Sequence, residues 1–286
     1  MEPYDFSPIV DRAPLALPNG AKVAVWFGLN VEHYAFGQPA MSLAPFTAQL
    51  VPDPLNHGWR DYGARVGVWR LSEIFAKHGI TPSAITNVEV LEHYPAIVEH
   101  GLERGWAFVG HGVNNSTWHV GMDRGSETAL VGGIVERFAE RGIRLRGWLG
   151  PALTSTGQTP EVLAELGFGY SLDWANDDQP YRMRLSDGEL LSVPYSSEVN
   201  DIPAFVIHHH TGEQFAQSIC DQFDVLYAEG ASTGRVMGVG VHPFLVGQPF
   251  RSKHFDRALE YLRSHDDVWF ATSDEIAEWS AAQLRG

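Results

Sequence analysis

Apolar residues in this chain fall in short runs separated by longer amphipathic stretches, and the alternation persists through most of its length. The short runs predict strands at Val23–Leu29, Ser83–Thr86, Ala107–Val109, Gly169–Leu172, Phe205–His208, Val236–Val241 and Val268–Ala271. Helix-like patterns lie between them, at Tyr62–Lys77, Glu127–Arg141, Pro160–Leu166, Gly212–Ala228, Phe255–Arg263 and Asp274–Leu284. Several carry end signals. Thr159 reads as an N-cap before Pro160 at the first helical position, and Gly167 sits where a left-handed C-terminal residue is favoured. Ser126 and Ser273 each precede an acidic residue suited to a helix N-terminus.

Strands alternating with helices predict an α/β fold whose parallel strands are covered by helices. At about 150 residues per domain the length of 286 residues would suggest two domains, a soft quotient because α/β barrels often use 200–250 residues as one. With seven strand candidates and no linker, a single (β/α) barrel over 1–286 with an irregular N-terminal segment 1–20 is expected, ahead of an open doubly wound sheet. No G-x-G-x-x-G turn follows the first strand, and the chain has neither a phosphate-binding G-x-x-x-x-G-K-[ST] loop nor a G-x-S-x-G elbow. Dinucleotide, NTP and serine α/β-hydrolase sites are therefore not signalled.

Composition narrows the partners. The 20 Lys and Arg against 35 Asp and Glu give a net charge of −15, which argues against binding to nucleic-acid or membrane phosphates. A small neutral substrate fits that charge better. The one cysteine, Cys220, allows no intramolecular disulfide or thiolate cluster and reads as a packed helix residue. The N-terminal residues lack the basic and apolar regions of a signal peptide, and no apolar run approaches membrane length, so a cytoplasmic location is expected.

In parallel α/β architectures the ligand site lies beyond the carboxyl ends of the strands. Four strands hand titratable residues to that face: Glu32 after the first, His111 after Ala107–Val109, Asp173 after Gly169–Leu172, and His242 after Val236–Val241. Trp174, Asn176 and Asp177 follow Asp173, and Trp59, Trp69, Trp118 and Trp174 lie close in sequence to these polar segments, as walls for a ring-shaped substrate. Arg60 or Arg65 stands ready to orient a carbonyl or carboxylate, although surface ion pairing explains either equally well. The His208-His209-His210 tract has metal-binding composition, but strand alternation would turn His209 away from its neighbours.

These segments resemble the polysaccharide deacetylase-like superfamily, whose fold is an irregular (β/α) barrel. Asn30-Val31-Glu32 falls where that family has two nearby aspartates, a base and a metal ligand, and His111 to Asn115 where it has a histidine pair four residues apart. Arg146 to Pro151 is similar to its third motif, Asp173-Trp174 to its fourth, and His242 to Arg251 to its fifth, whose histidine is the general acid. Asn30 and Asn115 depart from the pattern. Glu32, His111 and Asn115 would make a poor zinc site, so the resemblance leaves open one divalent metal such as zinc, or none. Tyr62 to Arg65, Asn176 to Tyr181 and His242 to Arg251 are similar to the branch of allantoinases and cyclic imidases. That branch implies hydrolysis of a C–N bond in a small cyclic amide, imide or ureide, and a homo-oligomer (dimer or tetramer). Glu32 is then the base or water-orienting carboxylate, His111 binds water or metal, and His242 protonates nitrogen or stabilises an oxyanion. Asp173 orients a histidine or holds a substrate N–H, and Asn30 contacts substrate. A metal-dependent deacetylase of N-acetylated sugars and a non-catalytic member of the fold are the competing readings.

Overall fold

The computed structural model describes residues 2–38 and 40–284. Its sheet runs in the order β6 (Tyr181–Arg182), β7 (Leu191–Ser192), β5 (Tyr170–Ser171), β4 (Gly147–Trp148), β3 (Ala107–Gly110), β2 (Ser83–Thr86), β1 (Val23–Val31), β8 (Arg235–Val241). β9 (Val268–Phe270) pairs with the first residues of β1, and β2 with the last, so the two share one edge of that strand. Every pairing is parallel except β6 with β7. An isolated bridge between Asn200 and Gly240 joins the chain after β7 to β8, and the sheet curls into an irregular barrel of the expected α/β type.

β1 is buried at all nine positions because both faces are covered, as a central parallel strand requires. Its side chains still sort by parity. Val23, Val25, Phe27 and Leu29 pack outwards against helices, while Ala24 and Trp26 join the inner core with Ile85, Val109, Leu149, Tyr170, Leu172 and Val236. On the outer side Phe27 meets Phe75 and Phe255 with ring centroids 5.6 and 5.9 Å away. These come from α2 (Val68–Lys77) and α8 (Pro249–Arg263).

The expected strand at Phe205–His208 is instead a π-helical turn, Pro203–Ile207. Pro203 fixes a helical first residue, Ala204 and Phe205 are buried, and Ile207 is exposed. His209 has a positive φ of 54°, so the histidine tract is a turn and strand alternation does not apply to it. The two-residue strands β4, β6 and β7, and helices α1 (Pro54–Tyr62) and α4 (Pro95–Glu103), were not apparent in the pattern. Within the expected helix Tyr62–Lys77, a π turn at Gly63–Gly67 precedes α2. Gly67 is required there, because a Cβ would stand 2.0 Å from the Pro243 carbonyl oxygen. This close approach presses the π turn onto the loop that carries His242.

Helix caps also shift. Asp123, not Ser126, caps α5 (Arg124–Ala139), and Thr272, not Ser273, caps α9 (Ser273–Gln283) in a capping box with Glu275. Thr159 is the first residue of α6 (Thr159–Glu165) rather than its cap, while Gly167 takes the expected positive φ, 82°. Cys220 lies half-buried on α7 (Gly212–Glu229). No helix among the described residues is long and apolar enough to cross a membrane.

Candidate active site

Strand parity delivers the central residues. Continuing the inward register of Ala24 and Trp26 gives Asn30 and then Glu32; that of Val109 gives His111; that of Val236 gives His242. The carboxylate of Glu32 meets both imidazoles. Its Oε1 lies 3.3 Å from His111 Nε2 and 3.5 Å from His242 Nε2. Tyr34 donates its hydroxyl to Oε2 at 2.5 Å. The Glu32, His111 and His242 side chains are only 3–4% exposed, so the carboxylate is screened from bulk solvent.

His242 is held from behind by Asp201. Its Nδ1 donates to Asp201 Oδ1 at 2.6 Å, and Oδ2 accepts the backbone N–H groups of His242 and Val246. Burial by itself would push His242 down, but the carboxylates of Glu32 and Asp201 outweigh it and raise its pKa to about 10. Near neutral pH it is an imidazolium between two carboxylates. Burial likewise opposes the charge on Glu32, yet the adjoining His242 imidazolium outweighs it and holds that carboxyl well below its ordinary range. His111 differs. Its Nδ1 donates to the Leu149 carbonyl at 2.7 Å, so in the neutral ring Nε2 carries the lone pair, and that atom faces Glu32.

Asn115 is fixed as a donor to the same carboxylate. The His33 N–H donates to Asn87 Oδ1 at 2.8 Å, so the Asn87 amide nitrogen must point the other way. It donates to the His111 carbonyl and, at 2.9 Å, to Asn115 Oδ1. Only Asn115 Nδ2 is left for Glu32 Oε1, 2.5 Å away. The set Glu32, His111 and Asn115 therefore does not fit a zinc ion. The Asn115 amide oxygen is already bonded to Asn87, and its N–H points at Glu32 where a metal would need a ligand lone pair.

Other expected residues are placed differently. Asp173 follows Tyr170 and Leu172, which both face inwards, and so comes one residue out of phase. Its Oδ1 accepts from Gly150 N–H at 2.6 Å, and no histidine among the described residues hydrogen-bonds to it. Asp201 takes the orienting position instead. Burial, opposed by the Gly150 hydrogen bond, raises the Asp173 pKa to about 6. Asn30 is buried with its amide donating to the Gly28 and Val241 carbonyls, which makes it a tie between β1 and β8.

Arg60 is buried beside the centre, 5.0 Å over the Tyr34 ring, with no carboxylate within ion-pair distance among the described residues. It lines a cavity of about 10 Å3 shared with Asn30, Glu32 and Phe244, roughly the space of one water molecule. Arg60 also lines a second cavity of about 70 Å3 together with Phe36, Asp53 and His57. Arg65, by contrast, is solvent-exposed and pairs with Asp61 at 3.7 Å, outside both cavities. Asn176 and Asp177 line a separate cavity against the N-terminal segment, where Asp177 forms a bidentate ion pair with Arg12 and Asn176 accepts from Tyr181. Trp174 packs edge-on against Tyr4 at 5.2 Å. Of the tryptophans, Trp59 adjoins the His242 loop through Phe244, 4.8 Å between ring centroids, while Trp69 packs on His100 and Trp118 is exposed.

No family model matches the chain. A solved structure from Pseudomonas aeruginosa PAO1, provisionally named a polysaccharide deacetylase, is 28% identical with a TM-score of 0.89, covering 99% of both chains. The crystal structure of PuuE allantoinase is 26% identical with a TM-score of 0.88 over 99% of both chains. A Schizosaccharomyces pombe protein, also provisionally named a polysaccharide deacetylase, is 28% identical and covers 92% of each chain. A Helicobacter pylori peptidoglycan deacetylase is 22% identical, covering 90% of this chain and 96% of its own.

Proposed function

From its full-length likeness to proteins of the polysaccharide deacetylase-like superfamily, we propose that this chain is a hydrolase of carbon–nitrogen bonds other than peptide bonds that opens the ring of a small cyclic amide, imide or ureide. The observation that carries the reading is the closed centre in which Glu32 meets His111 and His242 while Asn115 occupies the remaining position with N–H. A sugar polymer needs an open groove at the reacting carbonyl. A small ring needs only a pocket that closes over it, and side chains 3–4% exposed suit the second case. The full-length likeness to an allantoinase points the same way.

Ring opening needs an activated water, a polarised carbonyl and a proton for the leaving nitrogen. Glu32, with its depressed pKa, is a weak proton acceptor and serves to orient the water. His111 Nε2 accepts the proton, and both the Leu149 carbonyl on Nδ1–H and the adjoining Glu32 stabilise the resulting imidazolium. His242, an imidazolium at working pH, donates to the nitrogen as the C–N bond breaks. Asp201 is a positioning residue that keeps it charged and aimed. Arg60, the unpaired buried cation, binds the carbonyl oxygen and then the new carboxylate, and Asp173 accepts a substrate N–H.

The likeness to the S. pombe and H. pylori deacetylases favours a second reading, removal of acetyl groups from N-acetylated sugars. A hydrolysis screen separates the two. Turnover of succinimide, hydantoin or allantoin, without acetate release from chitooligosaccharides, is the expected result. Acetate release with no ring opening would overturn the proposal.

A further inference from the structure

A second cluster stands at the same mouth of the barrel and takes no part in the chemistry above. His33 follows Glu32 in the chain, while Glu89 is the N-cap of α3 (Val90–His93) and His93 its last residue, just beyond β2. One potential ligand atom from each lies within 4.8 Å of the other two. His33 Nε2 is 3.8 Å from Glu89 Oε2, too far for a hydrogen bond. Two donors on one tetrahedral zinc, with bonds of about 2.0–2.1 Å, stand roughly 3.4 Å apart, so the gap is close to that of two ligands sharing an ion. The His33 and His93 rings stack nearly parallel at 4.0 Å, so their in-plane lone pairs run side by side and one ring must turn for both to meet a single ion.

The surroundings orient two of the three ligands. The Tyr94 hydroxyl is 3.2 Å from His33 Nδ1. With Nδ1–H donated to that oxygen, the Nε2 lone pair faces Glu89. Asn114 Nδ2 donates to Glu89 Oε2 at 2.9 Å and fixes the carboxylate. Partners of this kind, which set a ligating histidine's tautomer and a carboxylate's direction, accompany metal sites. The contrast with the Glu32 centre is chemical. There an amide stands where a third ligand would be needed, whereas here His33, Glu89 and His93 each offer a ligating atom.

We propose that His33, Glu89 and His93 bind one divalent transition-metal ion of the zinc type, at a site separate from Glu32. Two imidazoles and one carboxylate select zinc over magnesium or calcium, which prefer all-oxygen sets. His93 is exposed, so the fourth position opens to solvent.

The test is zinc binding by the full chain after chelator stripping, read by equilibrium dialysis against zinc chloride with a competing chelator. One saturable zinc per chain is expected. His93→Ala, at an exposed position that leaves the fold intact, should weaken it at least about tenfold, and Glu89→Gln comparably. Glu32→Gln should leave it within about twofold, because that side chain is not a ligand. Cobalt substitution should give the intense visible spectrum of a tetrahedral site. Absence of saturable binding overturns the proposal. So does binding that survives His93→Ala, or that is lost in Glu32→Gln alone. Each readout is independent of ring-opening activity.

Discussion

Asn115 donates its amide N–H to Glu32 Oε1 at 2.5 Å, and a chain of amides anchored on the His33 N–H permits no other orientation. A neutral donor thus stands where a metal ligand would be needed, and it stabilises the ionised carboxylate. Asn115→Ala should lower kcat for ring opening by about 10–100-fold, the worth of one hydrogen bond to a charged group, with little change in KM. Steady-state kinetics check this, and an unchanged kcat would remove Asn115 from the centre.

The same relationship bears on metal removal. With the Asn115 oxygen bonded to Asn87, exhaustive dialysis against a chelator should leave kcat within about twofold of its starting value. Activity abolished by the chelator and restored by added zinc would mean that the amide turns over to ligate metal.

Glu32 and Asp201 together set the charge of His242, whose folded pKa, about 10, lies above the ordinary histidine value. A raised pKa stabilises the folded state fully below about pH 6.5 and loses that stabilisation as pH rises through about 10. The kcat/KM profile should accordingly fall on an alkaline limb near pH 10 as the proton donor is lost. Asp201→Asn removes one of the two anions. It should shift that limb downwards by at least about one pH unit and reduce kcat by about 100-fold or more. A merely structural role would lower stability without moving the limb.

Asp173 carries the opposite cost. Its pKa is raised to about 6 because burial opposes its charge, so its contribution to stability is greatest when protonated and is lost as pH rises through 6. Asp173→Asn can still accept from Gly150 N–H, and should stabilise the protein at pH 8 by up to about 3 kcal/mol. The gain should vanish as pH falls towards 4, as followed by denaturant unfolding at each pH. If Asp173 holds a substrate N–H, KM rises in the same variant.

Much of the centre was legible in the sequence because strand parity is a strict rule. Trp26, Asn30 and Glu32 share one phase, and so do Val109 with His111 and Val236 with His242. The barrel follows from the same strands. Asp201 was hidden because it follows a two-residue strand interrupted by Pro194, and the apolar stretch after it reads as a strand. It folds as a helical turn instead, started by Pro203 with the Ile202 N–H capped by Asn200. Asn176 and Asp177 lie away from Glu32 for a different reason. Their destination depends on Arg12, a contact across 165 positions that periodicity does not encode. Arg60 lies on α1 and Arg65 in the π turn that Gly67 seats against Pro243, a long-range contact that periodicity does not encode.

The most direct test of the protein-only centre is single-turnover ring opening by Glu32→Gln beside the parent chain, both in chelator, on a cyclic imide or ureide that the parent turns over. Glutamine keeps the shape but loses the charge that orients water and stabilises both imidazoliums, so the chemical step should slow by about 100-fold or more. A variant that opens the ring within about threefold of the parent rate would contradict a role for Glu32 in the chemistry.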